Sequence, residues 1–248
     1  MPDALSKVPE ITLVFWIIKI LATTLGETGG DAVSMSMDLG YLVGTAIFAV
    51  VFVAAVAIQV SARKFHPVVY WTTIVASTTV GTTLADFADR SLGIGYTGGS
   101  AILATLLLLS LFTWHRVLGS VAVETVASPK SEFFYWLTIM FSQTLGTALG
   151  DWTADTAGLG YVGGALIFSG LLAIVALACF FTRISRTALF WAAFILTRPL
   201  GAVVGDFLDK PVAAGGLALS RYSATAALVA LIVACIFIFP HRAASRAH

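Results

Sequence analysis

Apolar residues run along the chain in stretches long enough to cross a bilayer, which takes about 20 residues of helix. Eight such stretches are predicted, at roughly 11–31, 42–61, 67–88, 98–116, 131–153, 162–182, 186–207 and 217–239. They alternate between two kinds. The even-numbered stretches are almost wholly apolar, whereas the odd-numbered ones carry Thr, Gln, Glu, Asp, Lys and Arg. Ionisable groups at membrane depth turn inward, so this alternation predicts four polar helices facing one another and four apolar helices facing lipid. Pro9, Pro67 and Pro129 stand just before odd-numbered stretches, where a first-turn residue has no N–H partner to lose.

The alternation belongs to a repeat. An aromatic-Trp pair opens each unit, at Phe15-Trp16, Tyr70-Trp71, Tyr135-Trp136 and Phe190-Trp191. Ten residues after each Trp stands a glycine, at Gly26, Gly81, Gly146 and Gly201, and five further on an aspartate, at Asp31, Asp86, Asp151 and Asp206. Ten residues beyond the aspartate come Tyr41, Tyr96 and Tyr161, inside LGYLVG, IGYTGG and LGYVGG, with Gly216 in the fourth unit. The Trp-to-Trp spacings of 55, 65 and 55 place units one and three, and units two and four, 120 residues apart. Such spacing is that of a two-step duplication, with units near 11–64, 66–118, 131–184 and 186–240. Because each unit holds two spans, all four enter the membrane in the same direction. The expectation is an all-α, polytopic membrane protein. Its single transmembrane domain, 1–248, has eight transmembrane helices from four parallel two-helix repeats, pseudo-symmetric about an axis along the membrane normal.

Composition agrees with this. The chain is 58% hydrophobic and 11% charged, against about 25% charged in soluble domains. A net charge of +1 with no basic run gives no footprint for nucleic acid, whose phosphates must be neutralised. The beginning, MPDALSKVPE, lacks the marks of a cleaved secretory signal, so the first helix is expected to be retained. Cys179 and Cys235 are isolated, and His66, His115, His241 and His248 form no chelating pair, so neither redox chemistry nor a histidine metal site is indicated. Lys7, Arg63, Lys64, Arg116, Lys130, Arg183, Arg186, Arg242 and Arg246 fall on one side with both termini, which the positive-inside rule makes cytoplasmic. The Trp residues near that end read as interfacial anchors.

Candidate chemistry lies on the polar helices. Residues four apart share a helical face, which stacks Thr23, Glu27 and Asp31 in the first unit and Thr78, Thr82 and Asp86 in the second. The third unit stacks Gln143, Thr147 and Asp151, and the fourth Arg198, Ala202 and Asp206. Lys19 extends the first stripe deeper. Lys19 and Arg198 require acidic partners at that depth, and Glu27, Asp31 and Asp206 are nearest in sequence. Asp89, Asp155 and Asp209 form a second, outer set of acids, with Asp38 in the first unit. Helix interiors and outer loops together hold nine acids against five bases, an excess that draws cations and repels anions. The same aspartates would also serve as solvated boundary residues, and the glycines as positions where helix backbones approach. Whether the glycines break their helices is left open by the sequence.

The fourfold G-x4-D pattern with its Gly-Tyr-x-x-Gly turn resembles a family of bacterial multi-pass membrane proteins defined by a repeat of unknown function. The resemblance runs from about Phe15 to Leu217 and is nearly intact in VGTTLADFADRSLGIGYTGG and LGTALGDWTADTAGLGYVGG. The first copy departs by carrying Glu27, and the fourth by Arg198-Pro199 and the missing tyrosine. The resemblance implies this architecture in a bacterial inner membrane, and no activity.

Carboxylate, hydroxyl and carbonyl oxygens suit hard cations. The leading expectation is therefore secondary transport, efflux included, of a small cation, for instance a divalent metal such as manganese. Glu27, Asp31, Asp86, Asp151 and Asp206 would be ligands or proton sites, with Lys19 and Arg198 as counter-charges. One alternative is a carrier of a small organic solute, with Lys19 or Arg198 pairing its carboxylate. Another is a structural or regulatory membrane subunit. An intramembrane aspartyl protease is not supported, since TGGD, TLAD, ALGD and VVGD do not match its motifs, and no enzyme is expected. No cofactor is expected, the partners being lipid and a small cation or solute. The sequence is compatible with a homo-oligomer.

Overall fold

The structure is a computed structural model that describes residues 6–244. Arg246 and the two chain ends, placed on the basic side above, lie outside those residues, as does His248 of the four histidines. Among the described residues there are eight long helices and no strand: α1 (Leu13–Asp31), α2 (Gly40–Ser61), α3 (Pro67–Asp86), α4 (Tyr96–Leu118), α5 (Pro129–Asp151), α6 (Gly160–Phe181), α7 (Arg186–Asp209) and α8 (Arg221–Ile238). Six of them, all but α3 and α5, are long and apolar enough to cross a membrane. The molecule is a helical membrane protein.

Helix starts follow from local chemistry. Pro67 and Pro129 occupy the first turns of α3 and α5, and Ser128 and Ser131 close a capping box on α5. The expectation for Pro9 is corrected: α1 begins after Thr12, whose side chain accepts the Phe15 N–H, and Pro9 lies in an extended segment paired with Ala243. The helices run unbroken through Gly26, Gly81, Gly146 and Gly201. The irregularity comes later, where α1, α3 and α5 each end in a five-residue π-helical turn, at Ala32–Ser36, Phe87–Ser91 and Trp152–Thr156. In the fourth unit α7 stays α-helical to Asp209. It stops there because Lys210 precedes Pro211, which drives it out of the helical region, to ψ 155°.

The polar helices form a closed ring, α1 on α3, α3 on α5, α5 on α7 and α7 on α1. Each apolar helix leans on the polar helix of the next unit: α2 on α3, α4 on α5, α6 on α7 and α8 on α1. Within α2 only Gly44, Ala55 and Gln59 are buried, and within α8 only Ala224, Leu228 and Ile232. Most of their other residues are apolar and exposed, as the alternation predicts.

The repeat glycines set the spacing of the ring. Each receives the residue three before the glycine of the next unit. A Cβ on Gly26 would meet Thr78, one on Gly81 would meet Gln143, one on Gly146 would meet Arg198 and one on Gly201 would meet Thr23. One turn further on, Gly30 receives Thr82, Gly150 receives Ala202 and Gly205 receives Glu27. Contacts at matching repeat positions on two levels make the four polar helices parallel and in register.

An aromatic layer closes the basic end of the ring. Phe15 packs on Trp71, Tyr70 on Trp136, Tyr135 on Trp191 and Phe190 on Trp16, with ring centroids 5.4, 5.8, 6.2 and 5.8 Å apart. Tyr70 and Tyr135 share a hydrogen bond of 2.6 Å between their hydroxyls. The reading of the Trp residues as interfacial anchors is thereby corrected for Trp71, Trp136 and Trp191, each enclosed by the aromatic residue of the preceding unit, and for Trp114, which packs on Phe134, Tyr135 and Trp191; all four are buried.

Candidate functional site

Above the aromatic layer, the four polar helices present one residue each to successive levels of the ring. The first level holds Lys19, Ile74, Ile139 and Phe194, all fully buried. Lys19 Nζ has no hydrogen-bond partner among the described residues and lies 4.2 Å from the centre of the Phe194 ring. The expectation that Lys19 pairs with Glu27, Asp31 or Asp206 is corrected, since no ion pair among the described residues reaches it. Glu27 is eight residues along the same stripe, about 12 Å of helix rise, and other bases hold all three acids. A buried amine without a hydrogen-bond partner in an apolar layer is costly, and units two and three carry isoleucine at this position. Lys19→Ile should therefore raise thermal stability, by about 1–3 kcal/mol, measured as the unfolding midpoint in detergent. A lower midpoint would mean that the native protein compensates the amine in a way this geometry lacks.

The next level holds Thr23, Thr78, Gln143 and Arg198, all fully buried. Thr23 Oγ1 reaches the Thr197 carbonyl across the α1–α7 contact at 3.1 Å, and Gln143 Nε2 donates to Ser77 Oγ at 3.4 Å. Arg198 reaches toward the level above, where Glu27, Thr82 and Thr147 stand. Its Nη2 donates to Glu27 Oε2 at 3.1 Å and to the hydroxyls of Thr82 and Thr147 at 2.5 Å each. One guanidinium thus joins all four polar helices, since the fourth residue of that level, Ala202, lies on its own helix. Arg198 Nε and Nη1 have no partner among the described residues.

Above these lies the ring of Asp31, Asp86, Asp151 and Asp206, all buried. Two bases bridge it across unit boundaries. Arg90 pairs with Asp86 at 3.0 Å and Asp151 at 3.1 Å, and Lys210 with Asp31 at 2.5 Å and Asp206 at 3.1 Å. Arg90 also donates to the hydroxyls of Tyr41 at 3.1 Å and Tyr96 at 3.0 Å. Arg221 pairs with Asp209 at 3.1 Å and reaches Asp31 at 3.8 Å. From sequence, Arg90, Lys210 and Arg221 entered only the charge count and Tyr41 and Tyr96 only the repeat motif; none was named as a site residue. The available signal was spacing, because Arg90 and Lys210 follow Asp86 and Asp206 by four residues, one helical turn.

All five acids named as ligands converge. Oxygens of Glu27, Asp31 and Asp86 lie within 4.8 Å of one another, as do those of Glu27, Asp151 and Asp206, and those of Asp31, Asp206 and Asp209. Glu27 is common to the first two groups. The outer acids do not behave as one set. Asp209 joins the ring, Asp89 is buried against Gly99, and Asp155 and Asp38 are exposed.

No curated protein and no solved structure matches the chain. The family model described as "Repeat of Unknown Function (DUF347)" matches it four times, at residues 14–65, 69–119, 134–185 and 189–242. These segments coincide with the four units that build the ring. The chain belongs to the DUF347 repeat family.

Proposed function

We propose that this protein is a carrier for a small cation in the bacterial inner membrane. Its eight helices cross the bilayer, the four units enter in the same direction, and the basic end faces the cytoplasm. The helices α3 and α5, too polar to be recognised as spans by composition, cross as part of the ring they share with α1 and α7. One observation carries the proposal. Six buried carboxylates, those of Glu27, Asp31, Asp86, Asp151, Asp206 and Asp209, stand in overlapping groups of three whose oxygens lie within 4.8 Å of one another, and the bases that face them, Arg90, Lys210, Arg198 and Arg221, number four. Two negative charges are left over, which a divalent cation would balance. Its ligands would be carboxylate and threonine oxygens, the donors that hard cations prefer. An ion entering the ring would compete with Lys210, Arg90 and Arg198 for the same oxygens, so those bases act as counter-charges while the site awaits its ion.

A second reading has its own observation. The unpartnered atoms Lys19 Nζ, Arg198 Nε and Arg198 Nη1 suit the carboxylate of an organic solute.

Thermal stabilisation of the purified protein separates the two, because a ligand that binds the folded state raises its stability by about 2.7 kcal/mol at a hundredfold excess over Kd. We expect one divalent cation from a panel to raise the midpoint of the native protein and to leave Asp151→Asn and Glu27→Gln unmoved from their own baselines. A shift with small organic acids alone, lost in Arg198→Gln, would replace the cation reading with the solute carrier. No shift with any ligand would favour a structural or regulatory subunit.

A further inference from the structure

Between α1, α6 and α7, toward the basic end, lies a cavity of about 720 Å³, within the range of roughly 300–1,000 Å³ usual for small-molecule sites. Leu13, Trp16, Leu172, Phe180 and Ala193 give it apolar walls, and Arg186 and Glu124 are the charged groups on its lining. Leu13 and Phe180 are 75% and 82% exposed on the outer surface of the bundle, so the cavity borders the lipid-facing side.

Internal symmetry explains why the space is there. Exchanging the two halves of the molecule, a step of 120 residues, carries the cavity onto the groove between α2, α3 and α5. That groove is filled. Lys7 Nζ donates to Glu132 Oε1 at 2.7 Å and to the Val60 carbonyl at 2.9 Å, and Gln59 Nε2 donates to the Lys7 carbonyl at 3.2 Å. The counterparts of Gln59, Val60 and Glu132 are Cys179, Phe180 and Thr12, all of which line the cavity. The counterpart of Lys7 is Ala127. The ammonium, the carboxylate and the amide that plug one groove are absent from the other, and an occupant of different chemistry is called for.

We propose that the cavity holds an acyl chain of a zwitterionic aminophospholipid from the surrounding bilayer. The apolar walls suit the chain, Arg186 suits the phosphate, and Glu124 on the same lining suits a headgroup that also carries an ammonium. The cavity extends to Thr197, whose carbonyl holds the Thr23 hydroxyl across the α1–α7 contact. A chain seated there steadies the seam next to Arg198. This inference is independent of what the acid ring binds.

Native mass spectrometry of protein purified with defined lipids tests it. We expect one phosphatidylethanolamine to stay on the native protein, and Ala193→Phe, which fills the cavity, to lose it. Preferential retention of phosphatidylglycerol, equal retention by both proteins, or no retained lipid at all would overturn the proposal. Alkylation of the unaltered chain keeps the test independent of how the variant folds. Added phosphatidylethanolamine should slow the reaction of Cys179 with N-ethylmaleimide severalfold relative to delipidated protein, while Cys235, on α8 and outside the cavity, keeps its rate. Equal rates at Cys179 with and without the lipid would count against the site.

Discussion

Glu27→Gln will destabilise the detergent-purified protein by about 3–5 kcal/mol, the usual cost of removing one partner of a buried ion pair. Arg198→Gln in the same background will restore most of the loss. Arg198 and Glu27 are both shielded from solvent, and their only ion pair among the described residues is with each other. Removing the acid leaves a guanidinium held by two threonine hydroxyls, which cannot balance its charge. Removing both leaves amide groups among hydroxyls, a polar level with no net charge to solvate. A double-mutant cycle on unfolding midpoints measures the coupling. Additive losses would show that the two groups do not depend on each other, and the picture of Arg198 as the tie between four helices would have to be given up.

Gly201→Val should remove folded protein altogether, while Gly170→Val should leave it unchanged. At Gly201 a Cβ would lie 2.8 Å from the backbone carbonyl carbon of Thr23 and closer still to its side chain. Neither helix can yield without separating α1 from α7. Overpacking of a well-filled core costs about 1–3 kcal/mol and more where backbone must move, and here it also disturbs the level that holds Arg198. Gly170, in the outward-facing α6, meets nothing within 4 Å. Size-exclusion profiles of the two variants make the comparison. A monodisperse Gly201→Val protein would mean that the ring tolerates wider spacing than its contacts indicate.

The membrane character, the fourfold repeat and the shared face of the axial stripe were legible because each rests on a short-range period. Thr23, Glu27 and Asp31 share a face whatever surrounds them, and the fourfold recurrence of glycine and aspartate marks which face is used. Partner choice was not legible, since it is made between units. Arg198 pairs with Glu27 across 171 residues and Lys210 with Asp31 across 179, so nearness in sequence wrongly assigned acids to Lys19. The Trp residues misled for a similar reason. A Trp at the end of a membrane helix looks the same whether lipid or a neighbouring Phe15 or Tyr70 covers it. The lean of α2 on α3, rather than on α1, its partner within the repeat, was not legible either, since both are its neighbours in the chain.

That lean has a consequence for how the molecule is made. The lateral supports of α1 are α3, α7 and α8, and two of those three are the last to be synthesised. Glu27 therefore enters the bilayer with the first helix, and its guanidinium partner follows only with the seventh. Intramembrane charges without partners are expensive, and contacts between distant parts of a chain are slow to form. The nascent protein must shelter α1 through three hairpins of synthesis, and the arrival of the fourth both completes the ring and neutralises what the first exposed.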